Sequence, residues 1–421
     1  MTEPAHDKKQ GYIDGIVIFL LMGNTANPFF YRSVEMLSVS FIILLMLYWF
    51  KKDGDKVRFN KYLYIYISAI IVLQAAQTAV YHIFPLKTFL GEYLRIAFAI
   101  LAMTLLGQRF FHRFIQFVYV FAVISFFFYF PALLIKSFGP FMVNHVANHT
   151  LAPFVNNWDG LYVNRENIII FNFTQIDIHR NSGFYWEPGT HGGMLLIALF
   201  LNLFYRKQPL FCKYNVIFFV AILTTLSTTT YLAVFFVILV YLKEFFLKRP
   251  ALSVFILLVL AGTSVLLYNK LEFLNKKIDK QIEYSHKGVP GESRFNSFLA
   301  DMRELKDHPF IGAGRNVEMK FGRNYFNIDA KALHRNNGLG VLLGTYGILF
   351  FCIWLRLLYK SFYSVVQDKI NALMGVALIL ILGFSEDYFF KVFFIALVTY
   401  CGLSFGPVMV RKRSRKMQLG I

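Results

Sequence analysis

A chain of 421 residues that is 57% hydrophobic, 18% aromatic and only 16% charged carries too little charge to cover the surface of a soluble protein of that length. Its 43 Lys and Arg against 24 Asp and Glu give a formal charge of +19, but the cations flank apolar runs and form no single patch, which argues against a nucleic-acid partner. Apolar runs of the roughly 20 residues needed to cross a hydrocarbon core recur along most of the sequence, so the expected fold class is an all-α polytopic membrane protein.

About twelve transmembrane helices are predicted, at 11–28, 33–50, 62–84, 91–107, 114–138, 189–205, 214–227, 229–247, 251–268, 337–357, 370–385 and 390–409. The seventh and eighth are divided by a turn at STTT, 227–230. The first follows ten polar residues, and the NTANP after it is no small-residue cleavage site, so no cleaved leader is expected. Cys212, Cys352 and Cys401 are far apart and fall on helices or an inner loop, which argues against a disulfide framework. Lys and Arg gather at 51–58, 108–113, 206–213, 247–249 and 411–416, all on one side of a twelve-helix count. The positive-inside rule makes that side cytoplasmic, with both termini inside.

Two loops break the short-loop pattern, 140–188 and 269–336, and both fall on the outer face. Loops this long in a helical bundle are functional or disordered, and their Tyr, Phe, Trp and Gly content favours the former. The chain is therefore expected to be one membrane domain, 1–421, with two large extracytoplasmic loops.

The first loop ends in HRNSGFYWEPGTHGG, 179–193. Glu187 and Pro188 suit an ordinary helix start. Arg180 is either an interfacial anchor or a guanidinium holding an anionic group, since it grips phosphate oxygens bidentately where water is scarce. In the second loop, Phe295, Phe298, Leu299, Met302 and Leu305 recur at helical spacing, with Arg294 near the helix start. His308-Pro309 ends that helix, and Gly312 and Gly314 predict a flexible turn. An amphipathic helix on the bilayer, with Arg294 solvated, is the plain reading. At 332–351, His334 stands at the threshold of the tenth helix, followed by Arg335, Asn336 and Asn337. A histidine there is a hydrogen-bonded cap or a base able to take a proton from a hydroxyl. All three segments reach the same face at loop–helix junctions.

Other features are weaker. His145 and His149 have i, i+4 spacing but no third ligand, so no metal site is expected. Arg95 follows Glu92 by three residues near an outer helix end, where pairing between the two explains a charge that costs about 2.5–3.5 kcal/mol at the bilayer centre. Tyr162, Phe184 and Trp186 suit stacking on sugars or anchoring at the interface. Arg303, Arg315 and Arg323 are further cations that the sequence does not rank.

The block Arg180-Asn-Ser-Gly-Phe-Tyr-Trp-Glu-Pro before a helix, then Arg294 with HPFIGAG at 308–314, then His334 with Gly344 and Gly347, resembles the O-antigen polymerase (Wzy) and O-antigen ligase superfamily. The motifs cover roughly 160–350 and the topology the whole chain. The resemblance implies a GT-C-like, inverting, metal-independent glycosyltransferase without a cofactor. Its substrates would be undecaprenyl-diphosphate-linked oligosaccharides, at the periplasmic face of the bacterial inner membrane. Carried over by motif, Arg180 and Arg294 would hold the donor diphosphate and His334 would be the catalytic base. Glu187, Trp186, Arg95, Arg315 and Asn337 would contact substrate. One position departs from the family pattern: Arg335 follows His334 where Asn is common.

The leading expectation is a polymerase of lipid-linked repeat units into O-antigen or a related surface polysaccharide, with membrane lipids and a chain-length regulator as partners. The alternatives are a ligase moving glycan to lipid A–core and a lipid-linked oligosaccharide flippase. A flippase would place polar groups along a path through the bilayer, whereas the helices from 214 to 268 are nearly free of charge.

Overall fold

The computed structural model describes residues 8–31, 34–50, 57–147, 167–174, 176, 179–243, 248–249, 279, 283, 293–316, 319 and 335–405. The expected helix 251–268, most of the second outer loop, and His149, Tyr162, Arg323 and His334 lie outside the described residues.

The described chain is mostly helical: α1 (Lys8–Ala26), α2 (Pro28–Tyr31), α3 (Val34–Phe50), α4 (Lys61–Tyr81), α5 (Leu86–Leu106), α6 (Phe110–Leu134), α7 (Phe138–Phe141), α8 (Pro188–Phe204), α9 (Lys213–Thr225), α10 (Thr228–Tyr241), α11 (Arg294–Asp307), α12 (Gly338–Val366), α13 (Lys369–Ser385) and α14 (Val392–Thr399). The turn expected between the seventh and eighth runs is present: Leu226 adopts the left-handed conformation between α9 and α10. Three stretches among the described residues are long and apolar enough to cross a membrane, Lys61–Tyr81, Leu86–Leu134 and Gly338–Val366. The second reverses at Gly107, whose φ of 56° lets the chain turn from α5 into α6. The remaining apolar helices are shorter; at 1.5 Å per residue, the 17 residues of α8 span about 26 Å.

The centre of the bundle is α8. From Thr190 to Leu203 every residue is buried, and α6, α9, α10 and α13 pack around it. A helix apolar on all faces belongs inside its bundle, and the sequence TrpGluPro places its start at one end. That end also holds the C-terminus of α1, where Trp186 N–H donates to Ala26 O (3.0 Å). The opposite end carries a buried ion cluster: Asp14, with its side chain fully shielded, accepts from Arg109 (2.8 Å) and Arg113 (3.0 Å). It also carries a two-stranded antiparallel ribbon, β1 (Val57–Phe59) with β2 (Leu403–Phe405).

That ribbon corrects the last predicted helix, 390–409. The helix gives way to a 3₁₀ turn at Tyr400–Gly402 and then to β2. The Asn60 amide donates to Cys401 O, Asn60 N–H donates to Gly402 O, and Gly402 lies so close to Leu63 that a Cβ would collide with its backbone. Pairing with β1 replaces the helical bonds that the apolar run alone would favour.

The turn at Gly312 and Gly314 is likewise pinned, not flexible. Helix α12 is broken at Gly347 (φ 74°, ψ 175°), which frees backbone groups that a membrane cannot satisfy. The 309–314 segment takes them up: Ala313 N–H donates to Gly344 O (2.7 Å), Gly314 N–H to Thr345 O (3.1 Å), and Ile348 N–H to Pro309 O (2.8 Å). Gln77 of α4 adds bonds to Ile311 O (2.7 Å) and Thr345 O (2.8 Å). Helix α11 then turns its polar residues Asn296, Ser297 and Asp301 inward, against Gly340 and Gly344 of α12, and leaves Phe295 and Leu299 exposed. The expected stripe is thus divided: Phe295 and Leu299 face outward, Phe298 packs against the Phe384 ring and Leu305 is buried.

A substitution pair tests this packing. Gly312→Ala puts a Cβ into the Thr345 backbone at a φ of +67° and should lower stability by more than about 1 kcal/mol. Gly15→Ala meets nothing within 4 Å on α1 and should be neutral or stabilising by up to about 1 kcal/mol. Thermal unfolding of both variants in one detergent checks the contrast.

Candidate functional site

The described residues of the loop before α8 are bolted down by asparagines. Asn27 donates to both Ile169 O and Phe184 O (2.7 Å each). Asn172 donates to Tyr185 O (3.2 Å) and Trp186 O (2.9 Å), and Asn181 to Ser125 Oγ (3.0 Å) and Thr224 Oγ1 (2.9 Å). Phe184 is fully buried among Phe19, Phe117 and Phe121, so this ring fills the core and is not available to stack on a sugar.

This fixed loop presents Arg180, whose Nε donates to Thr225 O (3.1 Å), the last carbonyl of α9. Arg294 does the same elsewhere: its Nε donates to Ser385 O, the last carbonyl of α13. A cation suits the negative end of a helix dipole, so each arginine caps a helix C-terminus. For Arg294 the placement has an opposing cost, because it is also the first residue of α11, at the positive end. A carboxylate compensates it: Arg294 Nη2 lies 2.9 Å from Glu386 Oε1, and the Glu386 side chain is 9% exposed.

Glu386 in turn lies beside Glu187, the residue before α8, with both carboxyls bordering the space above Gly189. Its carboxyl reaches that point because Gly189 has no side chain; a Cβ there would overlap Glu386 Oε1. The same economy lets Tyr388 approach Gly193 and Thr230 approach Gly192. Arg180, Arg294, Glu187 and Glu386 therefore form one charge cluster at the N-terminus of α8. Within it, Arg180 spends one nitrogen on Thr225, and its two terminal nitrogens make no hydrogen bond among the described residues. Burial lowers the Arg180 pKa, opposed by Glu187, but a guanidinium remains a cation.

Asn337 is buried at the junction of three helices. Its Oδ1 caps Gly340 N–H (2.8 Å), and its amide donates to Phe384 O (2.9 Å) and Arg294 O (3.3 Å). It braces the cluster, with its amide engaged by protein. Arg335 ties the same segment to α11 through Asp301 (3.1 Å) and Glu304 (2.8 Å). His334 is the residue before it, just beyond the described residues. Trp186 lies half-buried with the Lys391 ammonium 5.4 Å from its ring centre.

Arg95 and Arg315 belong to a second cluster. Glu92 accepts from Tyr346 and from Gln74 (2.9 Å), and not from Arg95, whose hydrogen bond runs to Gly91 O (3.4 Å). Pairing of Arg95 with Glu92, expected from their spacing, is thus replaced by a Tyr346–Glu92–Gln74 chain. Arg315 lies over the Phe390 ring at 4.5 Å and lines a small pocket with Glu92, Tyr346 and Trp354. The turn Ser385–Tyr388 separates the two clusters, with Glu386 facing Arg294 and Asp387 acting on Arg315.

Glu386 is the residue that sequence reasoning missed. The signal was present: SEDY, 385–388, is an acidic pair in a short loop that the twelve-helix count puts on the same face as Arg180. No known protein-family model matches the chain, and no curated protein matches its sequence.

Burial, then the neighbouring Glu187 carboxyl, pushes the Glu386 pKa well above the usual carboxylate value, against the pull of Arg294 and Arg180. The protonated form therefore favours the fold. Stability from this group is present below the unfolded carboxylate pKa and is lost as pH rises through the elevated folded value. Thermal unfolding followed from acid to alkaline pH should show the melting temperature falling above the ordinary carboxylate range. Glu386→Gln should flatten that fall; an unchanged profile would mean that this carboxyl does not titrate in the window.

Proposed function

We propose that the protein is a membrane-embedded glycosyltransferase whose donor is an oligosaccharide linked to a polyprenyl diphosphate. The observation that carries this reading is the convergence of Arg180 and Arg294 on one helix N-terminus, with the terminal nitrogens of Arg180 unengaged among the described residues. Two guanidinium groups and the positive end of α8 together offer what a diphosphate requires. As the sugar–phosphate bond breaks, negative charge grows on the departing diphosphate, and fixed cations there lower the barrier. Attack by an acceptor hydroxyl on the face opposite the leaving group inverts the anomeric centre.

In this reading the shorter apolar helices and the 251–268 run also cross the membrane, giving twelve spans. The charge cluster then faces the periplasm of a bacterial inner membrane, and both termini are cytoplasmic. The substrate is undecaprenyl-diphosphate-linked repeat units, joined into O-antigen or a related surface polysaccharide, and a chain-length regulator is an expected partner. His334 is the acceptor's base by the resemblance in its motif. A flippase would use the break in α12 as a polar way through the bilayer. That break bonds instead to the 309–314 segment, which supports the enzyme over the transporter.

The test uses purified protein, a synthetic polyprenyl-diphosphate repeat unit and EDTA, with products resolved on a gel. Wild type should give a ladder. Arg180→Ala and Arg294→Ala should lower turnover about 100-fold or more, the scale of losing one charge-stabilising donor. Transfer to lipid A–core without a ladder would indicate a ligase; no transfer to either acceptor would overturn the reading.

A further inference from the structure

The far end of α8 carries positive charge that the proposed reaction does not use. Between Glu187 and Glu244 the chain has no acidic residue, yet Arg206, Lys207 and Lys213 fall together in the link from α8 to α9. Arg109 and Arg113, at the same end of the bundle, are matched by Asp14. Arg206 has no ion-pair partner among the described residues. Its guanidinium lies over the Tyr214 ring at 5.0 Å, and that ring lies 4.2 Å from the ring of Tyr119 on α6. The stack holds the group in place, but its Nη1 is buried without an acceptor, a costly state for a charged donor. Lys213 is the first residue of α9, at the positive end of the helix dipole, and that first turn contains no acid. Cys212 before it makes no capping bond through its side chain.

The link itself is firmly held. Asn202 and Asn215, both fully buried, bond to each other (2.8 Å). Asn215 also donates to Pro209 O (2.9 Å), and Gln208 N–H donates to Asn202 O (3.0 Å). Lys207 adopts the left-handed conformation, φ 52°, which a residue with a side chain takes when its surroundings require it. Leu210 packs against the core, and this frame leaves Phe211, the next residue, 82% exposed. A ring held out on a basic link is poorly placed in water and well placed at a bilayer boundary, where aromatic bodies and cations both find partners.

We propose that this end of the bundle binds an anionic phospholipid, with the headgroup phosphate on Arg206 and Lys213 at the first turn of α9 and Phe211 set among the acyl chains. A guanidinium and a helix N-terminus both favour phosphate oxygens. Phe211 argues for a lipid over a free anion, since only a lipid brings apolar surface to cover the ring. The site depends on the chain lying in a bilayer, and on no reaction at the other end of α8.

The test is thermal unfolding of the purified full-length protein in a neutral detergent, titrated with phosphatidylglycerol, phosphatidylcholine or inorganic phosphate. Phosphatidylglycerol should raise the melting temperature, and the other two should leave it where it was. Arg206→Gln and Lys213→Gln should each move the midpoint of that rise about fivefold to higher lipid, the scale of one basic residue at an anionic surface. Phe211→Ser should move it in the same direction. Lys243→Gln removes the same charge from a lysine engaged by Asn371 (2.9 Å), and should keep the wild-type midpoint. Native mass spectra add a count: one phosphatidylglycerol retained by wild type and lost when Arg206→Gln and Lys213→Gln are combined. An equal rise with phosphatidylcholine or with inorganic phosphate would overturn the assignment to an anionic lipid. A midpoint and lipid count unmoved in the combined variant would overturn the site. Both readouts are independent of glycosyl transfer, so an inactive wild type that still shows them leaves this site standing while the enzyme reading falls.

Discussion

Close packing around the first turns of α8 is the constraint on which the rest of the structure depends. A fully buried helix must be touched on every side, and its N-terminus is made from glycines and small polar residues so that charged and aromatic groups can come within reach. Glu386 sits against Gly189, Thr230 against Gly192 and Tyr388 against Gly193. A larger residue at any of these positions pushes away α10 or the turn after α13. The positive end of α8, the carboxyl pair and the two arginines are therefore brought together by the same economy of volume that packs the core.

The charge cluster is balanced in a way that leaves it receptive. Arg180 and Arg294 each cap a helix C-terminus, which holds them in place through their Nε atoms and leaves the outer nitrogens for other partners. Against these two cations stand Glu187 and Glu386, and burial and mutual repulsion keep Glu386 from ionising readily. On the far side of the Ser385–Tyr388 turn, Arg95 and Arg315 face Glu92 and Asp387, a neighbourhood held by Tyr346 and Gln74. One short turn thus separates two clusters, each of two arginines and two carboxyls. At the opposite end of the bundle, Asp14 is gripped by two arginines and closes off α1 against α6.

Much of this could be read from the sequence because hydropathy and loop charge are local signals. Helix positions came within a few residues for α3, α8 and α13, whose apolar runs end in clear punctuation. The break between α9 and α10 was legible too, although it falls at Leu226–Ser227 and the threonines of STTT begin α10. What the sequence concealed was long-range pairing. Nothing local says that Gly402 meets Leu63 and ends the last helix in a short strand, or that the HPFIGAG segment is spliced into a break at Gly347. Phe184 looked like a loop aromatic, but three rings from α1 and α6 enclose it. Glu386 escaped notice because an acidic residue in a four-residue loop is common, and only the distance to Arg294 gives it a role. The arginines were found by chemistry, because a guanidinium near a membrane surface requires a reason.

A glycosyltransferase of this kind must hold its donor's diphosphate at the N-terminus of α8. The most direct measurement is a cryo-electron-microscopy structure of the protein in lipid nanodiscs with a non-transferable polyprenyl-diphosphate sugar analogue. Phosphate density should bridge Arg180 and Arg294 at the N-terminus of α8, displacing the Glu386 carboxyl from Arg294. Density at Arg95 and Arg315, or a diphosphate bound elsewhere while the Arg294–Glu386 pair stays closed, would contradict this placement.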